Sequence, residues 1–178
     1  MNFSRNDNIF AYKLYSLLFS YDEKKYWKRR QILIDKNNKK FFLKKIWYLI
    51  YCKKMEARNA ASLGTAINTG AMFESVPNLP HGITGIFVSH SAQIGKNCTI
   101  LQNVTIGSSK EKAPVIGDNC IIGAGAVIVG GIHIGDNCRI GANCTVFKDV
   151  PSNTTVVCQP PRYISNNGKN KAEQVFKF

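Results

Sequence analysis

An aliphatic residue returns at every sixth position through the second half of this chain: Ile94, Ile100, Ile106, then Ile116, Ile122, Ile128, Ile134, Ile140 and Val146. The register extends back to Val88 and breaks once, between Ile106 and Ile116, where ten residues replace six. Four extra residues therefore leave the repeat around Ser108 to Ala113 as a small loop. A compact residue follows each aliphatic by four positions, at Ala92, Cys98, Val104, Cys120, Ala126, Cys138 and Cys144, with Gly or Asn between. An α-helix would place its apolar stripe at intervals of 3.6, and β-branched residues are stiff in helices, so a helix is excluded. Short strands, each turning two side chains inward and bending at Gly or Asn, satisfy the pattern.

The fold this predicts is all-β: a parallel β-helix of hexapeptide repeats, in which three hexads make one triangular coil and positions eighteen apart stack. Cys98, Cys120 and Cys138 then share a column once the insertion is counted, as small buried apolar residues rather than converging metal ligands. Cys52 and Cys158 lie outside the repeats, and no spacing matches a zinc or redox motif.

Of the formal net charge of +13, most belongs to residues 1–60, which hold fifteen Lys or Arg against five Asp or Glu. That basic segment is expected to be helical. Phe10, Leu14, Leu17 and Leu18 are spaced for one helical face, and the stretch from Lys39 to Lys54 carries Phe42, Ile46, Trp47 and Ile50 between lysines. Such helices would cap the open end of the solenoid. Their charge suits a solvated surface or peripheral contact with an anionic membrane or lipid-linked substrate; no nucleic-acid-binding motif is present. The expected organisation is a helical region over 1–60, the β-helix over 61–164 and a polar tail over 165–178. The longest apolar stretch, Phe41 to Cys52, contains Lys44 and Lys45 and is too short and too charged to span a bilayer. Met1 to Ser20 lacks a convincing cleavage site, so a cytoplasmic location is expected, with possible contact at the inner face of the membrane.

The stretches LPHGITGIFV (79–88), AQIGKNCTILQNVTIG (92–107), PVIGDNCIIGAGAVIVGG (114–131) and IGANCTVFKDVPSNTTVVCQPPRYI (140–164) resemble the hexapeptide-repeat, left-handed β-helix acyltransferases. The similarity is to the serine acetyltransferase branch and to related bacterial sugar O-acetyltransferases of surface-polysaccharide pathways. It implies an acetyl-CoA-dependent O-acetyltransferase, a homotrimer with intersubunit active sites, and no metal. His81 matches the catalytic histidine of that family. An imidazole suits the role of general base because its ordinary pKa of about 6.5 lies near the working pH. His90, Gln102 and Asn103 are the candidate acceptor-binding residues. Gly107, Ala124 and Ala142 are expected to line the acetyl-CoA groove, and Lys148 and Arg162 match positions near its nucleotide end.

The departures from serine acetyltransferases weigh on the acceptor. Pro80 stands where an acidic residue precedes the catalytic histidine, Thr65 and Ala66 stand near the upstream acidic position, and Ala113 replaces a second histidine. Without those carboxylates the ammonium of free serine lacks a partner, and burying it unpaired is costly. On this reasoning a hydroxyl of a sugar or surface-polysaccharide precursor is the first expectation and serine of cysteine biosynthesis the alternative. A non-catalytic scaffold or membrane-surface module is the reading from another class.

Overall fold

The computed structural model describes residues 21–38 and 41–159; the stretch from Phe10 to Leu18, Arg162 and the tail from Ser165 lie outside them. From Leu63 onward the chain winds as a left-handed parallel β-helix with three faces. Face I stacks Phe87–Val88, Thr105–Gly107, Val127–Val129 and Thr145–Val146. Face II stacks Met72–Phe73, Gln93–Ile94, Val115–Ile116 and His133–Ile134, and face III stacks Thr99–Ile100, Ile121–Ile122, Arg139–Ile140 and Thr155–Val156.

The register is the one the rhythm requires. Val88 pairs with Ile106 and Ile128 with Val146, each pair eighteen residues apart, whereas Ile106 and Ile128 are separated by twenty-two. The four additional residues form a tight excursion closed by Ser109 and Lys112. Ile94, Ile100, Ile106, Ile122, Ile128, Ile134 and Ile140 are all buried in one core with their compact partners. Burying each such side chain contributes about 1.5–3 kcal/mol, so the stack is the main source of stability.

The three thiols form the expected column. Cys98 donates to the carbonyl of Gly117 at 3.2 Å, Cys120 to Gly135 at 3.2 Å and Cys138 to Pro151 at 3.1 Å. Each buried S–H thus meets an acceptor on the next coil.

At the edge between faces II and III, the recurrent Gly-Asp-Asn triplets make a ladder. Asp118 accepts from the backbone N–H of Lys96 at 2.6 Å, Asp136 from that of Asp118 at 2.8 Å, and the Ser152 hydroxyl from that of Asp136 at 3.0 Å. The following residues, Asn97, Asn119, Asn137 and Asn153, all sit at positive φ, a conformation that Asn tolerates better than bulkier residues.

The solenoid begins earlier than its rhythm discloses. Met72–Phe73 pairs with Gln93–Ile94, and Ser62 bridges to Phe87. The hexad is hidden there because the turn after Leu79 is longer than the later bends.

Two helices cover this end: α1 (Glu23–Ile34) and α2 (Phe42–Arg58). Tyr26 and Trp27 of α1 and Cys52 and Met55 of α2 join the solenoid core, and the Trp27 ring meets Phe73 edge-on at 5.1 Å between centroids. The capping role is as expected, but the face of α2 that does it is not. Phe42, Trp47 and Ile50 point to solvent, while Lys45, Cys52, Met55 and Glu56 are buried. Polar groups beneath the helix explain the inversion: Lys45 Nζ donates to the carbonyl of Asp35, the C-cap of α1, at 3.1 Å and to Asn68 Oδ1 on the solenoid rim at 2.7 Å.

Glu56 and Arg30 complete a buried polar seam between helices and solenoid. Arg30 donates to Thr65 Oγ1 at 3.1 Å and to the carbonyls of Leu63 and Ala71 at 2.9 and 2.7 Å. Thr65 and Tyr26 each donate to Glu56 Oε1, at 2.7 and 2.8 Å. Desolvation lowers the pKa of Arg30, with the nearby Tyr26 and Glu56 opposing it, and burial next to Glu56 raises that of Tyr26. These are the uncapped carbonyls of a solenoid end, satisfied by a guanidinium fork.

Candidate active site

The bends of the coil distribute the candidate residues over two edges, both flanking face I. The turn from Pro80 to Gly85 joins Asn78, which pairs with Thr99 on face III, to Phe87 on face I. It therefore occupies the III/I edge, and its Thr84 carbonyl accepts from Asn103 N–H at 3.1 Å in the next coil. The column continues from Gln102, whose carbonyl accepts from Gly125 at 3.0 Å, to Ala124, whose carbonyl accepts from Asn143 at 2.8 Å. Thus His81, Gln102, Asn103, Ala124 and Ala142 line one edge.

His81 lies at the start of that edge with its side chain exposed, and it makes no hydrogen bond or ion pair with a described residue. The turn is held by Gly82 N–H donating to Leu79 at 2.9 Å. Gly82 sits at φ +63°, where a side chain is strained, and a Cβ there would meet the Tyr21 ring at 3.5 Å. Burial pushes the Tyr21 phenol above its usual pKa, with Glu23 adding to the rise. Tyr21 is thus a neutral aromatic floor under the histidine turn, which the sequence did not disclose.

Gln102 is half-buried, and its side-chain oxygen is enclosed without a donor among the described residues. Asn103 adopts φ +60° with its Oδ1 lying close against Gly85, so it serves as a bend residue. At Gly123, just before Ala124, a Cβ would stand 2.6 Å from the backbone nitrogen of Ala142. Close approach of coils along this edge therefore depends on that glycine.

The I/II edge carries the other candidates. His90 is exposed at the bend after Val88, and Gly64 closes against it; a Cβ on Gly64 would be 2.7 Å from His90 Cα. Gly107 begins the four-residue excursion, with its carbonyl accepting from Gly130 at 3.0 Å. Lys148 is exposed two coils further on. His133 faces outward from face II, its backbone N–H bound by Asp149 at 2.8 Å. Within one chain, then, His81 and the Gln102–Ala142 column come together, while His90, Gly107 and Lys148 form a second group across face I.

Among the described residues, no group of three His, Cys, Asp or Glu converges to hold a metal. A cavity of about 660 Å³ lies elsewhere, lined by Gln31, Asp35, Asn68 and Thr69 among others, and contains none of the candidate residues. Its lining holds no histidine.

Residues 113–148 match the bacterial transferase hexapeptide family (six repeats). Serine acetyltransferase 1, chloroplastic, from Arabidopsis thaliana is 44% identical over 114 residues, 62% of this chain and 36% of that protein. Serine acetyltransferase from Bacillus pumilus is 35% identical over 133 residues, 72% of this chain and 60% of its own length. The crystal structure of Neisseria gonorrhoeae serine acetyltransferase in complex with serine superposes with a TM-score of 0.56 at 30% identity, covering 88% of this chain and 61% of that one. The chain belongs to the hexapeptide-repeat, left-handed β-helix acyltransferases.

The relatives it matches include serine acetyltransferases, of whose length the chain spans 36%, 44% and 51% in three cases. The similarity backs the serine branch, given above as the alternative, better than the sugar O-acetyltransferases placed first from the missing carboxylates. Thr65, near one of those positions, is fully engaged between Arg30 and Glu56 and cannot face a substrate.

Proposed function

We propose that the chain transfers the acetyl group of acetyl-CoA to the hydroxyl of serine, with His81 as general base. The observation that supports this most is the exposed imidazole, without a partner among the described residues, at the head of the edge that also carries Gln102, Ala124 and Ala142. His81 would take the hydroxyl proton as the oxygen attacks the thioester carbonyl; the C–S bond then breaks and the imidazolium returns its proton to the departing thiolate. Backbone N–H groups of a rigid coil suit the developing oxyanion, since they need no reorganisation.

Acetyl-CoA would lie along the III/I edge past Ala124 and Ala142, with Gln102 directed to the acceptor, Asn103 shaping the bend beside it, and His90 reaching the acceptor from the I/II edge of a neighbouring copy. Gly107 and Lys148, on the opposite border of face I, can serve the same site only when a neighbouring copy brings its I/II edge alongside. A homotrimer with intersubunit sites meets that need, and Lys148 would then meet phosphate of the donor. Arg162 would act at the same end.

A sugar hydroxyl remains the second reading, favoured by one specific observation: Pro80, Ala66 and the committed Thr65 leave no carboxylate at the places expected to pair a serine ammonium. Free thiol release from acetyl-CoA, followed with serine, with N-acetylated serine and with nucleotide sugars, separates the two. Turnover with serine alone supports the proposal. Turnover with sugars and none with serine would replace the acceptor, and no acceptor-dependent thiol release with any of them would remove the function.

A further inference from the structure

We propose that the outer face of α2 docks on an anionic lipid surface. This goes beyond the acyl-transfer reading and does not depend on it.

The helix is inverted relative to its own sequence pattern. Its inward side is taken by Lys45, Cys52, Met55 and Glu56, leaving Phe42, Leu43, Trp47 and Ile50 at 62%, 57%, 71% and 53% exposure, preceded by Phe41 at 72%. Leu43, Trp47, Ile50 and Lys54 follow one another at helical spacing, so these side chains form one outward stripe. An exposed cluster of this size on an ordered helix marks an interaction surface.

Charge selects the occupant. Residues 36–55 contain seven lysines and no Asp or Glu. Lys36, Lys44 and Lys54 are exposed near the stripe, Lys53 is tied to Glu56 at 2.9 Å, and Arg29 of the neighbouring helix stacks on Tyr51 at 4.0 Å. A second copy of the same face would bring lysines against lysines. Residues 1–20 hold Arg5 and Lys13 against Asp7 and would supply no compensating negative charge. A bilayer containing acidic lipid answers both features at once: Trp and Phe settle at the headgroup level while lysines remain among the phosphates. No helix among the described residues is long and apolar enough to cross a membrane, so the contact would be lateral.

The test uses the full chain and vesicles of phosphatidylcholine alone or with about a quarter phosphatidylglycerol, read by co-sedimentation and by Trp fluorescence. Trp27 is buried and Trp47 exposed, so a blue shift on binding reports chiefly the stripe. The expected result is binding at least about tenfold stronger to the acidic vesicles, weakened by salt and lost in Leu43→Glu/Trp47→Glu. That variant keeps its circular dichroism and its activity on soluble acceptors. Equal or absent binding to both vesicles overturns the proposal, as does acidic-vesicle binding unaffected by the double substitution. A concentration-dependent blue shift without lipid, matched by a larger sedimentation coefficient, assigns the face to a second copy instead. Shielding of Trp47 from iodide in the lipid-free protein, with no concentration dependence and an unchanged sedimentation coefficient, assigns it to residues 1–20.

Discussion

Replacing Arg30 by Met is predicted to loosen the junction between helices and solenoid more than any single surface change. The guanidinium is almost completely buried and makes three hydrogen bonds, two of them to the carbonyls of Leu63 and Ala71. Met fills a similar volume but donates nothing. Two buried acceptors are then left unmet, at about 1–3 kcal/mol each, and Glu56 loses the nearby positive charge that acts through Thr65. Removing one member of such a buried network typically costs about 3–5 kcal/mol, and the sum is bounded by that range because the backbone can partly relax. For a domain of this size the melting temperature should fall by roughly 6–20 °C. Urea unfolding followed by far-UV circular dichroism measures the loss directly, with an unchanged slope if the unfolded state is unaffected. Arg30→Lys should recover part of it, since one ammonium cannot reach all three acceptors. A loss in Arg30→Met below about 0.5 kcal/mol would show that the seam is not what attaches the helices.

Ellman's reagent should titrate one fast thiol in the folded protein, Cys158, because Cys52, Cys98, Cys120, Cys138 and Cys144 are all buried, and six after unfolding. Cys158 and Cys144 sulfurs stand 2.9 Å apart, so diamide should join them, read as a loss of two mass units and a cross-linked peptide after non-reducing digestion. Burial pushes the Cys52 thiol up to about 12 from its ordinary 9.0, so its contribution to stability is whole below about pH 9 and is lost as the unfolded thiol ionises between about 9 and 12. Cys52→Ala should therefore lose less stability than the wild type across that window in urea titrations at stepped pH. Gly123→Val should separate the coils at Ala142 and lower both the melting temperature and any affinity for CoA, measured by calorimetry. A variant as stable as wild type would mean that the edge tolerates a side chain.

The solenoid was legible in the sequence because its period is set by geometry alone: Ile94 through Val146 need only alternate with a small residue and a bend. The insertion after Ile106 was legible for the same reason, as a break in an otherwise constant step. The first coil was not, since the turn that presents His81 interrupts the count. Nor was α1, whose buried stripe of Tyr26, Trp27, Arg30 and Leu33 includes an arginine and so reads as polar. For α2 the apolar residues were visible and their direction was not. Nothing in Phe42, Trp47 and Ile50 says that Asn68 on the rim and the Asp35 carbonyl at the end of α1 are offered to a lysine. At the site, local position was readable for His81, His90 and Lys148, but which edge each occupies follows only from the register of the coils.

Acyl transfer at the III/I edge requires His81 as base, and the rate of CoA release from acetyl-CoA in the presence of serine, compared between wild type and His81→Asn, tests that role most directly. With the melting temperature preserved, the variant should lose about 10²–10⁴-fold in kcat with little change in the KM for acetyl-CoA. Equal rates in the two proteins would contradict it.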